Sequence, residues 1–225
     1  MRVVVLSRKG GVGKSTTAIH LGGYLAGIAE GAEDDVLLVD TDPSRNALRW
    51  AKRGRLPFRV VGEDEVDADP SMAREARHLI VDMRGSPSAE EIEDAMRLAE
   101  VMVIPIMPSG LALDTLLQTR RDLSRLGRED RYRVLLTAVP PWPYRRGPHA
   151  RAQLRELGIP LFGGDIRRLE AFEAAADEGV LVRELSDRRA QRGWEDYVRM
   201  GEELVGWVRD LRTPDLRAVG SGGGT

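Results

Sequence analysis

The feature that most restricts the fold of this chain is a glycine-rich loop that follows an apolar run close to the first residue. The apolar run covers residues 3–6, and after the loop apolar residues recur at helical spacing as far as Leu25. In order, the loop consists of Arg8, Lys9, Gly10, Gly11, Val12, Gly13, Lys14, Ser15 and Thr16. A strand, such a loop and a helix in succession predict a phosphate-binding site, because glycines let backbone N–H groups turn inward and the helix N-terminus adds positive charge.

The loop residues have distinct expected roles toward a nucleoside triphosphate. Lys14 is placed to reach the β- and γ-phosphates, and the Ser15 hydroxyl is placed to bind Mg²⁺. We expect residues 10–16 together to surround the phosphates of ATP or ADP. The usual pattern G-x-x-x-x-G-K-[ST] begins with glycine, whereas this chain has Arg8 there, followed by a second lysine, Lys9. The alternative is a surface turn that carries this spacing by chance, and the flanking strand and helix argue against it.

Composition favours one α/β domain. No Gly/Pro/Ser-rich linker divides the 225 residues, so we expect a single domain over residues 1–212 and a flexible tail over 213–225. The expected fold is a doubly wound, mostly parallel sheet with helices on both faces. Cysteine is absent, which excludes disulfides, thiolate metal sites and iron–sulfur clusters. No apolar run approaches the roughly 18 residues of a membrane span, so we expect a cytoplasmic protein without membrane attachment.

Two further apolar runs end in carboxylates. Residues 79–81 precede Asp82, and an aspartate fixed at the end of a strand can hold a water of the Mg²⁺ shell. Residues 36–39 precede Asp40 and Asp42 in the same way. Because the carboxyl ends of parallel strands form the ligand-binding edge of an open sheet, we expect these aspartates near the glycine-rich loop.

The loop also resembles that of a known family. The run K-G-G-V-G-K-S over residues 9–15 resembles the deviant P-loop of the ParA/MinD family of ATPases, and is most similar to small Soj-like ParA partition ATPases without an N-terminal DNA-binding domain. In that family the first lysine reaches across a dimer to the partner's phosphates. The resemblance therefore implies that Lys9 acts in a homodimer that forms with ATP. The alternative for Lys9 is a solvated loop lysine.

The resemblance also assigns roles to residues outside the loop. It implies that Asp42 orients the attacking water, that Asp40 supports Mg²⁺ or its own loop, and that the Gly85 N–H meets the γ-phosphate. Thr137 is a weaker candidate, near the adenine. For Asp40 and Asp42 the alternative is a role as N-cap and turn residues of the helix that follows.

The implied activity is slow hydrolysis of ATP to ADP and phosphate, stimulated by a ParB-like or other partner protein. Such an ATPase binds DNA non-specifically in its ATP state, which places it on the nucleoid, and positions or segregates DNA or another cargo. No helix-turn-helix precedes the loop, so binding to a specific operator is not expected. Two alternatives stay open: an ATP-dependent amide-forming synthase of the cobyrinate type, and a nucleotide-gated adaptor that does not hydrolyse ATP.

Charge gives only local support for DNA binding. The net charge is −2, so the chain as a whole does not attract nucleic acid. A local candidate for phosphate contact is formed by Arg183, Arg188, Arg189 and Arg192. In the alternative, these arginines pair with neighbouring acidic residues, which are Glu184, Asp187 and Glu195. Elsewhere, we expect the acidic residues 63–69 to form a solvated connection and Trp142 to fold back onto the protein.

Overall fold

A six-stranded parallel sheet forms the centre of the molecule. The computed structural model describes residues 1–28 and 35–213. Its strands are β1 (Arg2–Val5), β2 (Val36–Asp40), β3 (Arg59–Gly62), β4 (His78–Asp82), β5 (Val101–Ile106) and β6 (Tyr132–Leu136). They lie in the order β3-β2-β4-β1-β5-β6, and every neighbouring pair is parallel. The expected doubly wound fold is confirmed, and within the described residues the sheet is parallel throughout.

Helices cover both faces of this sheet. Those of the described residues are α1 (Lys14–Ile28), α2 (Asn46–Arg53), α3 (Glu63–Ala68), α4 (Ser71–Glu75), α5 (Ala89–Leu98), α6 (Gly110–Arg125), α7 (Arg146–Glu156), α8 (Ala171–Glu178) and α9 (Arg188–Arg212). A 3₁₀ turn, Val182–Glu184, joins α8 to α9. One face packs against α1, α2, α8 and α9 around a core that includes Ile19, Leu38 and Leu204.

The opposite face is covered unevenly. Over β1, β5 and β6 it packs against α5, α6 and α7, with Ile92 and Leu123 fully buried. Over β2, β3 and β4 it meets α3 and α4, which have six and five residues and contain no buried side chain, and the edge of α5 that carries Ala95 and Leu98. This half of the face therefore has the smaller of the hydrophobic clusters, built on Leu37, Val61 and Leu79.

The acidic connection predicted over residues 63–69 is exposed at every position except Val66, as expected, but residues 63–68 form helix α3 and not a loop. Helix α3 begins at Glu63, and the Glu65 carboxylate accepts a hydrogen bond from the Gly62 N–H at 3.1 Å. Three acidic residues in the first turn also face the positive end of the helix dipole. Local capping chemistry thus makes a helix of a segment that has no apolar periodicity.

The exposed loop after β6 differs from expectation as well. Trp142 is 88% exposed and does not fold back onto the protein. It lies between Pro141 and Pro143 in a loop whose residues 141–146 are all exposed.

The described residues contain one six-stranded sheet, and hydrophobic clusters lie on both of its faces. Helix α9 ends at Arg212, and the tail expected over 213–225 lies, beyond Thr213, outside them. Among the described helices none combines the length and the apolar character that crossing a bilayer requires.

Candidate nucleotide-binding site

The glycine-rich loop joins β1 to α1 at the carboxyl edge of the sheet. Gly11 and Gly13 have φ angles of 71° and 85°, a backbone conformation that favours glycine. Helix α1 starts at Lys14, and the Thr17 N–H donates to the Gly13 carbonyl at 2.9 Å. The N-terminus of a fifteen-residue helix therefore follows the loop directly, as an anion site requires.

A cavity of about 410 Å³ opens beside this loop. From the loop it is lined by Gly11, Gly13, Lys14, Ser15 and Thr16, and from across it by Asp42, Asn46, Arg49, Trp50, Arg53 and Ala176. The Lys14 side chain is 8% exposed. Five of the seven loop residues predicted to contact nucleotide thus line one cavity, of the volume common for small-molecule sites, whereas Gly10 and Val12 do not line it.

Helix α2 contributes basic residues that sequence reasoning missed. Arg49 and Arg53 are one helical turn apart on the face that Asn46 also occupies, so all three point toward the loop. The Arg53 guanidinium donates to the Ala176 carbonyl at 3.2 Å, and that of Arg49 donates to Asn46 at 3.3 Å. In the sequence, these residues were indicated by the four-residue spacing of Arg49 and Arg53 in the segment that follows Asp42.

Asp82 meets the requirements of a magnesium site. It ends β4 between Val5 of β1 and Asp40 of β2, is fully buried, and has no hydrogen-bond partner among the described residues on either carboxylate oxygen. Burial raises its pKa to about 7, helped by the Asp40 carboxylate, while the nearby Ser15 hydroxyl and Lys14 oppose this shift. Two unpaired carboxylate oxygens facing a serine hydroxyl are the oxygen donors that Mg²⁺ prefers. The residues present therefore fit the ion.

Asp40 has a different environment from Asp82. Its Oδ1 accepts from the Asp42 N–H at 3.0 Å, and its Oδ2 accepts from the Leu48 N–H at 3.1 Å. Burial raises its pKa, and these backbone donors limit the rise. The structure thus shows Asp40 supporting its own loop through the Asp42 N–H and joining β2 to α2 through the Leu48 N–H. Its role toward Mg²⁺ stays a prediction.

Asp42 lies in the cavity and is linked to the loop after β4. One oxygen accepts from the N–H and hydroxyl of Ser44 at 2.9 and 2.6 Å, and the other from the Gly85 N–H at 3.0 Å. Burial raises its pKa, but these hydrogen bonds and the charge of Lys14 outweigh that effect, so the pKa lies below its usual range. Asp42 is therefore ionised at neutral pH. The Gly85 N–H, expected to meet a γ-phosphate, is held by Asp42 in this state.

The two lysines of the loop have different surroundings. Lys14 lines the cavity, whereas Lys9 does not, and the Lys9 Nζ lies 3.4 Å from the Ser109 Oγ after β5. Among the described residues no carboxylate lies within ion-pairing distance of Lys9. Arg8, in place of the usual glycine, donates to Asp122 of α6 at 2.6 Å and to the Pro87 carbonyl at 3.1 Å. These bonds fix the start of the loop and leave Lys9 half-buried at its rim.

Thr137 contacts the loop and does not line this cavity, and its predicted place beside the adenine stays a prediction. It is 3% exposed, and its hydroxyl lies 2.7 Å from the Val12 carbonyl and 3.1 Å from the Ile106 carbonyl. Because the hydroxyl is held beneath Val12, Thr137 supports the loop from below.

His20 is a second residue that the sequence analysis missed. Its ring stacks on Tyr197 at 4.8 Å and meets Trp50 and Phe172 edge to face. Nδ1 donates to the Thr16 carbonyl at 2.8 Å, which leaves Nε2 to accept the Val182 N–H at 3.1 Å. Burial lowers its pKa to about 4, so the ring is neutral. A neutral histidine thus connects the first turn of α1 to the segment before α9, which no local pattern announced.

The four candidate DNA-binding arginines fall into two groups. Arg189 and Arg192 line a cleft of about 420 Å³ together with Arg167 and Arg168, and Arg188 is exposed beside them at the start of α9. Arg183 instead lies over the Trp194 ring, 4.7 Å from its centroid. Within the described part of the chain, none of the four predicted arginines forms an ion pair, including with Glu184, Asp187 or Glu195.

Comparison with known proteins agrees with this site. Residues 3–182 match the family described as the CobQ/CobB/MinD/ParA nucleotide binding domain. The chain is 36% identical over 211 residues to the maintenance of carboxysome distribution protein A of Gloeobacter kilaueensis, covering 90% of this chain and 93% of that protein.

Solved structures share the fold. The ATP complex of a Cyanothece McdA variant matches with a TM-score of 0.67 and 19% identity, over 91% of this chain and 96% of that one. MinD of Pyrococcus horikoshii complexed with Mg-ADP matches with a TM-score of 0.66 and 16% identity, over 90% and 95%. The first of these neighbours holds ATP and the second holds Mg-ADP, ligands that the loop and Asp82 are suited to bind. The matched region contains the loop, Asp42 and Asp82, and the chain therefore belongs to the CobQ/CobB/MinD/ParA family of nucleotide-binding proteins.

Proposed function

We propose that this chain is an ATPase that dimerises around ATP, binds DNA non-specifically in that state, and positions a large cargo together with a partner protein. The observation that carries the proposal is the separation of the two loop lysines. Lys14 faces the cavity of its own chain, while Lys9 points away from that cavity and has no acidic partner among the described residues. A cation so placed suits the phosphates of a second copy.

The residues at the cavity supply the parts that phosphoryl transfer needs. Lys14 and the N-terminus of α1 neutralise phosphate charge, and Ser15 with Asp82 would hold Mg²⁺. When bound, the ion spreads the negative charge that develops on the phosphate oxygens. Asp42 is ionised and lies beside Lys14, so it is suited to orient a water toward the last phosphate. To bind that water, Asp42 must give up its hydrogen bond to the Gly85 N–H. The contact between the loops after β2 and β4 therefore depends on whether nucleotide is bound.

The arginine surface supports the DNA part of the proposal. Arg189 and Arg192 lie with Arg167 and Arg168 along one cleft, and a twofold dimer presents this group twice. Local basic groups of this kind attract phosphate even when the whole chain is slightly acidic. Arg183 contacts Trp194 and is the weakest member of the predicted set.

Similarity to a relative with a known cargo in its name supports one class of cargo for this chain. The relative from Gloeobacter kilaueensis is named for the distribution of carboxysomes and aligns with 90% of this chain. We infer that the cargo of this chain is likewise a large protein assembly, reached through a partner protein and not through a bound membrane.

The test is binding to a random-sequence DNA duplex without nucleotide, with ADP and with ATP, at one stated moderate salt concentration. We expect binding with ATP alone, and about tenfold or greater weakening in the Arg189→Ala/Arg192→Ala variant. The matched control removes two exposed arginines elsewhere, Arg55→Ala/Arg121→Ala, and should bind almost as the parent does. Equal binding in all three nucleotide states would refute the gated form of the proposal. A dimer that forms with ATP and binds no DNA would refute the DNA part alone.

A further inference from the structure

A second cavity, which shares no lining residue with the nucleotide cavity, opens on the half of the sheet that α3 and α4 cover poorly. We call this cavity the β4 groove; its volume is about 410 Å³. Its apolar lining includes Val39, Leu79, Val81, Met83, Ala95 and Leu98. Val81 lies inside β4, which is paired on both sides, yet its side chain is only partly buried, and Leu98 is 64% exposed. An interior strand position left open to solvent indicates a face that something else covers.

The rim of the β4 groove is acidic. Glu63 and Asp67 line it from α3, and Glu91 and Asp94 line it from α5. The basic residue of the lining is Arg84, whose guanidinium is 3.4 Å from the Glu91 carboxylate. In the described part of the chain, no cation pairs with Glu63 or Asp67. On the α5 side both acidic residues are ion-paired, Glu91 with Arg84 and Asp94 with Arg97. An apolar floor beside the acidic wall of α3 is complementary to a segment with apolar residues on one side and Lys or Arg on its flanks.

The groove reaches the loops that respond to nucleotide. Pro43 and Met83 line its upper end, next to Asp42 and within two residues of Gly85. The carboxylate of Asp42 and the Gly85 N–H form the hydrogen bond that joins these loops. An occupant that contacts Pro43 and Met83 therefore contacts both of the loops that this hydrogen bond joins.

We infer that the β4 groove is the docking site of a basic, amphipathic helical segment of a partner protein. Every strand that borders the groove already has its neighbours, so the segment docks by its apolar face and not by adding a strand. The acidic rim repels nucleic acid and anionic lipid, which leaves a cationic protein segment as the occupant. The binding claim stands by itself, whereas its effect on hydrolysis rests on the proposed function.

The probe is a fluorescein-labelled helical peptide of about 15 residues, with Leu along one face and Lys on both flanks. One control peptide has the same composition in scrambled order, and a second has Glu in place of every Lys. Fluorescence anisotropy with the full chain, without nucleotide and with ATP, should show binding of the first peptide at about micromolar Kd and at least tenfold weaker binding of both controls. Equal affinity of the scrambled peptide would overturn the inference.

Variants separate groove binding from attraction to any acidic surface. Glu63→Lys/Asp67→Lys changes the rim, and Glu129→Lys/Glu156→Lys makes the same charge change at exposed positions elsewhere. We expect about tenfold weaker binding in the first and less than about twofold change in the second. Ala95→Phe fills the floor without changing charge and should also weaken binding, after a thermal melt shows that it folds. Equal loss of peptide affinity in both charge variants, or no loss of affinity with Ala95→Phe, would contradict docking in the β4 groove.

The same samples distinguish this inference from the proposed function. If the peptide binds as expected while the parent chain releases no phosphate from ATP, the docking site stands and the ATPase proposal fails. If the chain hydrolyses ATP and the peptide shows no preference over its controls, the ATPase proposal stands and the docking site fails.

Discussion

Two lysines in the same loop are expected to differ in what they do. Lys14 is almost buried in the cavity, and removing its charge-assisted contacts to phosphate in Lys14→Ala should weaken ATP binding by about a hundredfold, or about 3 kcal/mol. Lys9→Ala should keep most of the affinity and lose the ATP-dependent dimer. Nucleotide titration and light scattering with ATP measure the two effects. Equal loss of nucleotide affinity in both variants would remove the proposed role of Lys9 in the partner's site.

Thr137 tests whether the loop needs its support from below. In Thr137→Val the shape is kept and the bond to the Val12 carbonyl is lost, which should lower the free energy of unfolding by about 1 kcal/mol and weaken ATP several-fold. Thr119→Val is the matched control, since that buried hydroxyl donates at 3.1 Å to the Thr115 carbonyl, away from the cavity. Nucleotide titration of both variants should show weakened ATP binding with Thr137→Val alone. Comparable weakening in the two would assign the effect to general stability.

Residues differ in how far the sequence determines them. The positions of Lys14, Ser15 and Asp82 were predictable. Each lies at or just after the end of an apolar strand, and the carboxyl ends of parallel strands meet at one edge of the sheet. The partners of Asp40 and the position of Thr137 beneath the loop were not, since they depend on the distance between strands that are far apart in the chain. The same holds for Arg49 and for His20, whose contacts come from four separate elements.

At the level of elements, α1 and α9 approach each other through a glycine. A Cβ on Gly201 would fall on the ring of Tyr24, whereas one on Gly206 of the same helix would meet nothing. Gly201→Ala should therefore destabilise the protein by about 1–3 kcal/mol, since added volume in a tight contact costs more than helix propensity supplies. Gly206→Ala should leave stability unchanged or raise it by up to about 1 kcal/mol. Urea unfolding of the two variants measures this, and similar shifts would contradict the close contact.

The link from α1 to the turn before α9 should make stability depend on pH. His20 is neutral in the folded chain, with a pKa of about 4, because it is buried and its Nε2 faces an N–H donor. In the unfolded chain its pKa is about 6.5. The unfolded state thus binds more protons between these values, so the free energy of unfolding falls as pH falls from about 6.5 to about 4, by about 3 kcal/mol for this residue.

His20→Asn removes this titration and keeps a side-chain donor toward Thr16. Chemical denaturation between pH 7 and pH 4.5 should show a flatter stability profile for this variant than for the parent. His149→Asn, at an exposed position of α7, should keep the parent's slope. His78 is also shifted to about 4 by burial, so some slope remains in every variant. If the pH dependence of stability in His20→Asn equals that of the parent, then burial does not lower the pKa of His20 as described.

For the molecule as a whole, the parallel sheet brings Asp42 and Gly85 to the edge where, in the proposed dimer, the second copy would meet the loop. Asp42→Ala should trap an ATP-bound dimer, because closure needs Lys9 and Lys14 while the water loses its carboxylate. Phosphate release should fall by about a hundredfold or more. Asp69→Ala is a close control, since Asp69 accepts the N–H and hydroxyl of Ser71 at 3.1 and 2.6 Å in the same turn geometry, far from the cavity.

Light scattering and phosphate release, measured on the same samples with ATP, decide between the outcomes. The Asp42→Ala protein should persist as a dimer after the parent has returned to monomers, and Asp69→Ala should behave as the parent does. If Asp42→Ala hydrolyses ATP at the parent rate, Asp42 serves only as the turn residue of α2. If it binds ATP and stays monomeric, the hydrogen bond to Gly85 is needed to form the dimer face, and closure depends on the loops before hydrolysis begins.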